Sequence, residues 1–501
     1  MAGKKTQKHL RWTPPGPDAP AIFEIPTHDP PLAPRDEVVF LLHTGAEIEH
    51  ALLVQYLYAA YSLKSPKEVP PEHGPKVRAW KRTLLEIARE EMGHLITVQN
   101  LLRLIGGPLN LEREDYPFRS GLYPFPFRLE PLSKGSLAKY VVAEMPFVRE
   151  PSEETEEIVT RATGSGSIPA NQVGEIYARV MQLLSPSEPG GEAHLSEDDF
   201  AADAGTRLAR YDAWGGAASV LVPDIVGLPD ALAAISELAE QGEGMEDSAD
   251  RPSHYQRLLA IYREFPEAGA GGEQAWEPVY PVPVDPDTGP SEGVTIEPEG
   301  GRITHPRSLK WAKLFNLRYR LLLAYLSHFL QCDGPLLDDE ADYTTRGLLN
   351  RWTFDEMRHL SLVASRLVTL PKAEVDPEQP ERAGAPFELP YTLNLPDRDR
   401  ERWRTHLDVM STCLSLEHAI EEAHPEDRDD PLLRGLILHD IEAQRLARAA
   451  MAGEALSYTE RDFLKVVRLL EGSVRGFRIG AHRNFWRGLT RDQFVALSVF
   501  G

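Results

Sequence analysis

Apolar residues recur at intervals of three and four over long stretches of the chain, the pattern of helices with one buried face. The first such stretch, VVFLLHTGAEIEHALLVQYLYAAYSL, predicts a helix from Asp36 to about Leu63. Pro66, Pro70, Pro71 and Pro75 break it, and VRAWKRTLLEIAREEMGHLITVQNLLRLI predicts a second helix over 76–105, stopped by Gly106, Gly107 and Pro108. Shorter helices are predicted over 134–145, 171–184, 228–242 and 253–265. Longer ones follow at about 307–332 and 341–369, and 399–501 reads as mostly helical. Strand signals are sparse; VYPVPV (279–284) is the one candidate for a short edge segment. The stretches between are loops: 109–132 and 371–397 are proline-rich, and 185–216 reads as a polar surface insertion. Residues 1–36 read as an extended N-terminal arm, 37–265 as one helical unit, 266–305 as a Pro/Gly-rich linker, and 306–501 as a C-terminal helical region.

Composition narrows the class. With 501 residues the chain is too long for one ordinary core, and 42% apolar with 26% charged residues is a globular balance. A net charge of −23 without a basic cluster argues against a nucleic-acid partner. No run is long and apolar enough for a membrane span. The basic start MAGKKTQKHLRW has no apolar stretch behind it, so a secretory signal is not expected and the cytoplasm is the expected compartment. Cys332 and Cys413 are the only cysteines, too few for a disulfide framework or a cysteine-rich metal site, and both are expected to be buried or inert.

Candidate chemistry lies with particular glutamates. Glu91 and His94 are three apart on a helix and can face one ion. The same spacing recurs at Glu356/His359 and Glu421/His424, so spacing alone decides nothing; the later pairs read as structural, as does His482 near the end. Glu49 sharpens the first pair. It sits in an otherwise apolar run, where a carboxylate is costly unless paired or bound to metal. Carboxylate-bridged bundle sites take one Glu from each of two helices and a Glu-x-x-His from each of two others. Glu49, then Glu91/His94, follows that order, and Glu175 in QVGEIYARVMQLL is a second isolated helix glutamate. The fourth helix is irregular: Glu243 and His254 meet only if 244–252 folds back, and Glu240 competes with Glu243. Tyr56, on the face of Glu49, and Glu144, in AEMP at a helix end, are the candidates for catalytic residues beside such a site. REEMGHLITVQNLLRLIGGP is also echoed by FDEMRHLSLVASRLVTLP, but the helix before the second copy has no glutamate where the first has Glu49.

These pieces resemble the ferritin-like family that includes the iminophenyl-pyruvate dimer synthases of violacein-type pathways. The matching segments are EIEHALLVQYLYAAYSL, EEMGHLITVQNLLRLIGGP, VVAEMP, QVGEIYARV, QGEG and SHYQRLLAIYREF, with FNLRYRLLL and AGAPFELP further on. The resemblance implies a mainly α fold: a ferritin-like four-helix bundle with long loop insertions and an additional C-terminal helical region. It implies that Glu49, Glu91, His94, Glu175, Glu243 and His254 bind two metal ions, iron first and manganese as the alternative. Val54 and Gln55 stand where the family often has a proline pair, and Gly93 replaces a bulkier residue, changes that bear on the substrate pocket.

The expected function is then that of a dinuclear non-haem metal oxidase or oxygenase using O2 on a small amino-acid-derived or aromatic metabolite. Oxidative coupling and desaturation are among its reaction types. The alternatives are a ferroxidase and a non-enzymatic metal-binding scaffold. The loops 109–132 and 371–397 are expected to roof a substrate pocket. Homodimer formation through the arm is the expected association, and the electron donor is open.

Overall fold

The structure is a computed structural model. It describes residues 29–454 except 119–124, 147–150, 165–171, 186–194, most of 202–221, 244–251, 268–275, 290–299, 338–342, 375–380 and 390–392. The greater part of the expected arm, the end of the chain with His482, and much of the 185–216 insertion therefore lie outside the described residues.

Two long helices form the backbone of the first bundle. α1 (Pro34–Ser62) begins at Pro34, whose fixed φ suits a first turn, with Asp36 and Glu37 facing the positive helix end. It starts inside the segment read as an arm, because Pro34 opens a helix rather than blocking one. α2 (Gly74–Leu104) ends where Gly106 takes φ 69° and the Gly107 N–H returns to the Leu102 carbonyl. The pair is antiparallel: Arg35, at the start of α1, donates to the carbonyls of Ile105 and Gly106 beyond the end of α2.

The other two rods of this bundle are each cut in two. α3 (Lys134–Ala143), capped by Ser133, lies along the later half of α1, where Tyr140 packs on Tyr56. α5 (Gln172–Leu184) continues the same rod along the earlier half, where Arg179 pairs with Glu37. Between them α4 (Glu153–Thr163) folds out against α3. This helix, EETEEIVTRAT, is absent from the sequence expectation because only Ile158, Val159 and Ala162 are buried, too few to set a period. The fourth rod is α6 (Leu228–Glu243) followed by α7 (His254–Glu264), antiparallel to α2. Trp80, early in α2, donates to Glu264, and His94, late in α2, meets Gln241.

α8 (Pro306–Gln331), α9 (Thr345–Leu367), α10 (Asp399–Ala423) and α11 (Pro431–Ala452) make a second bundle of uncut rods. In order around the bundle they run α8, α9, α11, α10. Contact between the bundles includes α1 against α9 and a wedge from the loop after α9. Phe387 stacks on Tyr61 and meets Phe315 and Tyr319 edge-on, while Arg113 donates to its carbonyl. It holds φ 51°, a left-handed conformation that a non-glycine residue keeps only when its surroundings fix it.

The 279–284 candidate strand forms a single antiparallel bridge, Leu63 to Val279. The described part of the expected linker is fastened down: Tyr280 N–H donates to Ser62, and Asp285 N–H to Leu129. Cys413 is buried and Cys332 half-buried, with its thiol pushed up to about 12 by burial. Glu421 lies near His418, and His424 caps α10. No helix among the described residues is long and apolar enough to cross a membrane.

Candidate metal centre

Both cut rods break at one level, and the polar residues of the bundle core gather there. α1 contributes Glu49, α2 contributes Glu90, Glu91 and His94, the end of α3 contributes Glu144, and the start of α7 contributes His254. All six are buried. Two sets of potential ligand atoms lie within 4.8 Å of one another: Glu49, Glu91 and His94 in one, Glu91, Glu144 and His254 in the other. Glu91 belongs to both.

Each histidine presents Nδ1 to the carboxylates and gives Nε2 to an outer partner. His94 Nδ1 lies 3.0 Å from Glu91 Oε2 and 3.5 Å from Glu49 Oε2, and its Nε2 is 2.8 Å from Gln241 Oε1. His254 Nδ1 lies 2.7 Å from Glu91 Oε1 and 3.6 Å from Glu144 Oε2, with Nε2 2.8 Å from Glu90 Oε2. Arg257, one turn along α7, pairs with Glu90 from outside. Histidine ligands are commonly held by such a bond at the second nitrogen, which fixes ring orientation and tautomer. Two tyrosines hold the outer carboxylate oxygens: Tyr177 donates to Glu49 Oε1 at 2.6 Å and Tyr56 to Glu144 Oε1 at 2.5 Å.

The residues fit a metal pair on an observation independent of any resemblance. Glu91 Oε1 and His254 Nδ1 are fully buried and form an ion pair at 2.7 Å, with no further hydrogen-bond partner for either atom. A divalent ion could take the place of the proton between such an oxygen and nitrogen. The charges agree. Burial alone would lower His94, but Glu91 and Glu49 outweigh it and push the imidazole up to about 10. Burial and the charge of Glu91 push Glu49 up to about 7. Burial would raise Glu90 as well, but His254 and Arg257 outweigh it and hold the carboxyl down at about 2. Protons on the imidazoles thus balance carboxylates that divalent ions would otherwise neutralise.

A small cavity adjoins these groups, with an apolar wall of Leu52, Ala143, Leu238, Ala239 and Gly242 opposite Glu49, Glu91, His94, Glu144 and Tyr177. A Cβ at Gly242 would come within 3.2 Å of Glu144 Oε2, so this glycine keeps the carboxylate's surroundings open. The described residues of the loops expected as a roof do not line this cavity; Phe387 and Arg113 instead pack between the bundles.

Of the residues singled out from sequence, Glu49, Glu91, His94 and His254 come together, with Glu144 among them and Tyr56 behind it. Glu175 does not join either set: it is half-buried, its carboxyl raised by burial, and Tyr177 from the same helix reaches the site in its place. Glu243 ends α6, and its side chain lies outside the described residues. Glu240 is half-buried and belongs to neither set. Glu90, Gln241, Arg257 and Tyr177 were not singled out. The adjacent carboxylates Glu90 and Glu91 were the one available signal, since a metal-binding histidine wants an outer acceptor.

Ser253 fixes the start of α7 immediately before His254, its side chain accepting from the Gln256 N–H in a capping box. Ser253→Ala is expected to lower stability by about 1 kcal/mol in chemical denaturation. It should also weaken metal retention, because His254 loses its anchored turn.

The profile of the ferritin-like family matches residues 42–263. The dichlorochromopyrrolate synthase of Lentzea aerocolonigenes is 27% identical over 350 residues, covering 60% of this chain and 31% of that protein. The 2-imino-3-(indol-3-yl)propanoate dimerase of Chromobacterium violaceum is 26% identical over 329 residues, covering 58% of this chain and 28% of the relative. The chain therefore spans less than a third of the length of these relatives. A ferritin-like protein structure from Caulobacter vibrioides aligns with 69% of this chain and 98% of its own, at 17% identity and a TM-score of 0.39. Residues 42–263, with their four-rod bundle and buried carboxylate–histidine core, are similar to the ferritin-like family.

Proposed function

We propose that the first bundle holds two metal ions, iron before manganese, and uses O2 to oxidise a small aromatic, amino-acid-derived metabolite by oxidative coupling. The observation that carries this reading is Glu91, one buried carboxylate shared by two ligand sets. Glu49 and His94 complete one set, Glu144 and His254 the other. Oxygen and nitrogen donors of this kind suit iron or manganese. A bound pair supplies electron transfer to O2, chemistry that no side chain here performs alone.

The chain's own residues hold and screen that chemistry. Tyr177 and Tyr56 keep Glu49 and Glu144 from swinging, each donating to the oxygen turned away from the neighbouring histidine. Gln241 and Glu90 orient the two imidazoles. Leu52, Leu238 and Ala143 give the cavity an apolar wall that limits water beside the ligands. The substrate class is taken from the relatives, whose names are those of a 2-imino-3-(indol-3-yl)propanoate dimerase and a dichlorochromopyrrolate synthase. Joining two such imino acids through a carbon–carbon bond removes two electrons and two protons, with O2 as acceptor.

The test is anaerobic Fe(II) loading followed by admission of O2, with and without freshly generated 2-imino-3-(indol-3-yl)propanoate. About two irons per chain are expected, with O2 uptake that rises with substrate and yields a coupled product. Uptake indifferent to substrate would make the site a ferroxidase. Failure to hold iron would leave the bundle a scaffold.

A further inference from the structure

The second bundle repeats the arrangement of the first. α8 and α9 stand as α1 and α2 do, α10 takes the place of the rod α3/α5, and α11 that of α6/α7, with the same neighbours around the ring. DEMRHL of α9 repeats EEMGHL of α2, so Asp355, Glu356 and His359 correspond to Glu90, Glu91 and His94. On α8 the residue as far from the helix end as Glu49 is from the end of α1 is Arg318, and Tyr56 and Tyr325 each follow two turns later. A cation has replaced an anion at the first ligand position.

That cation occupies the centre of the bundle. Arg318 Nη1 donates to Glu356 Oε1 and Oε2 at 3.1 and 3.2 Å and lies 3.3 Å from His359 Nδ1. Its Nη2 donates to Asp440 Oδ2 at 3.1 Å and to Glu417. Arg318, Glu356, Glu417 and Asp440 have no exposed side-chain surface. His439 of α11 closes the cluster, its Nδ1 3.2 Å from Asp440 Oδ1. Glu356, His359 and His439 each offer a ligand atom within 4.8 Å of the others. Two atoms of the cluster, Glu417 Oε2 and His359 Nε2, are buried without a hydrogen-bond partner.

We infer that the second bundle is a copy of the first in which the Arg318 guanidinium stands where metal ions would bind, and that removing it opens a latent site for one divalent first-row cation. Three carboxylates and two imidazoles, all buried, converge on one guanidinium, and the side chains of Arg318, Glu356, Glu417 and Asp440 have no exposed surface. Oxygen and nitrogen donors from Glu356, His359, Glu417, His439 and Asp440 are a set that a divalent ion could take, and the planar cation already there keeps such an ion out.

The experiment uses the full chain with Glu91→Ala in the background, so that its outcome is independent of how the first bundle behaves. Co(II), the probe, is titrated into Glu91→Ala, Glu91→Ala/Arg318→Ala and Glu91→Ala/Arg318→Lys while visible absorption and melting temperature are recorded. Arg318→Ala is expected to gain about one Co(II) per chain, with a ligand-field band and a melting temperature that climbs with Co(II). The other two chains should gain neither, and adding Glu356→Gln to the alanine variant should abolish the gain. Should the alanine variant fail to fold alone, recovery of helicity and cooperative melting on refolding with Co(II) supports the inference. An alanine variant that neither binds Co(II) nor is rescued by it overturns the inference, as does equal binding by the chain with Arg318 intact.

Discussion

Glu91→Ala is expected to take bound iron from about two per chain to near zero, and O2-dependent turnover with it. The size of the effect follows from geometry. Glu91 stands in both ligand sets, so one truncation leaves Glu49 with His94, and Glu144 with His254, as separate two-residue remnants. The variant should still fold. Without Glu91 the buried carboxylates Glu49, Glu90 and Glu144 face His94, His254 and Arg257, a charge-balanced set. Metal analysis after gel filtration, with far-ultraviolet circular dichroism on the same sample, checks both halves. Glu175→Ala is the contrasting substitution and should keep its iron, since that side chain joins neither set. If Glu91→Ala retains two irons, the shared-carboxylate reading is wrong.

Gly347→Ala should be among the most destabilising single substitutions in the second bundle. Gly347 lies in the first turn of α9, where the chain from 334 to 337 crosses over it. A Cβ there would sit 1.8 Å from the Leu336 carbonyl oxygen and 2.8 Å from its carbon. That carbonyl is fixed, accepting from the Thr344 N–H at 3.0 Å, while Thr344 caps α9 and Arg346 donates to Gly334. Backbone cannot yield as a side chain can, so the loss is expected to reach about 3 kcal/mol or more. Urea denaturation measures it, with Gly135→Ala as control. At Gly135, within α3, an added Cβ meets nothing closer than 3.6 Å, and alanine should be neutral or stabilising by up to about 1 kcal/mol. Equal behaviour of the two variants would refute the close-approach argument.

The long rods α1, α2, α8 and α9 were legible in sequence because each carries several turns of apolar period between strong stop signals. Glu49, Glu91 and His94 were legible for the same reason, as polar residues whose face the period fixes. The cut rods were harder. α5 is amphipathic, with Glu175, Arg179 and Gln182 on one stripe and Ile176, Tyr177, Val180 and Leu184 on the buried one. Its period favoured Tyr177, roughly 200° from Glu175 about the axis, as the inward residue. Glu144 stands just past the end of a short helix, where periodicity gives no direction, and its approach to His254 depends on α3 ending where α7 begins. Arg318 was visible as an arginine in an apolar run, but its meaning came only with Glu417 and Asp440, a hundred or so residues away in the chain.

The two halves of the bundle wall around the ligands differ in kind. α1 and α2 pass the site without a break, their backbone groups hydrogen-bonded within the helices throughout. On the far side α3 and α6 end there and α7 begins there. On the proposed function, the sectioned side is where ions and small molecules would pass, between helix ends rather than between helix flanks. The C-terminal carbonyls of α3 and α6 are partial negative charges there, and the N-terminus of α7 is a partial positive one. The carbonyl ends favour an approaching cation and the α7 end an anion, so the sectioned side is electrostatically mixed, whereas the α1–α2 side presents only helix flanks.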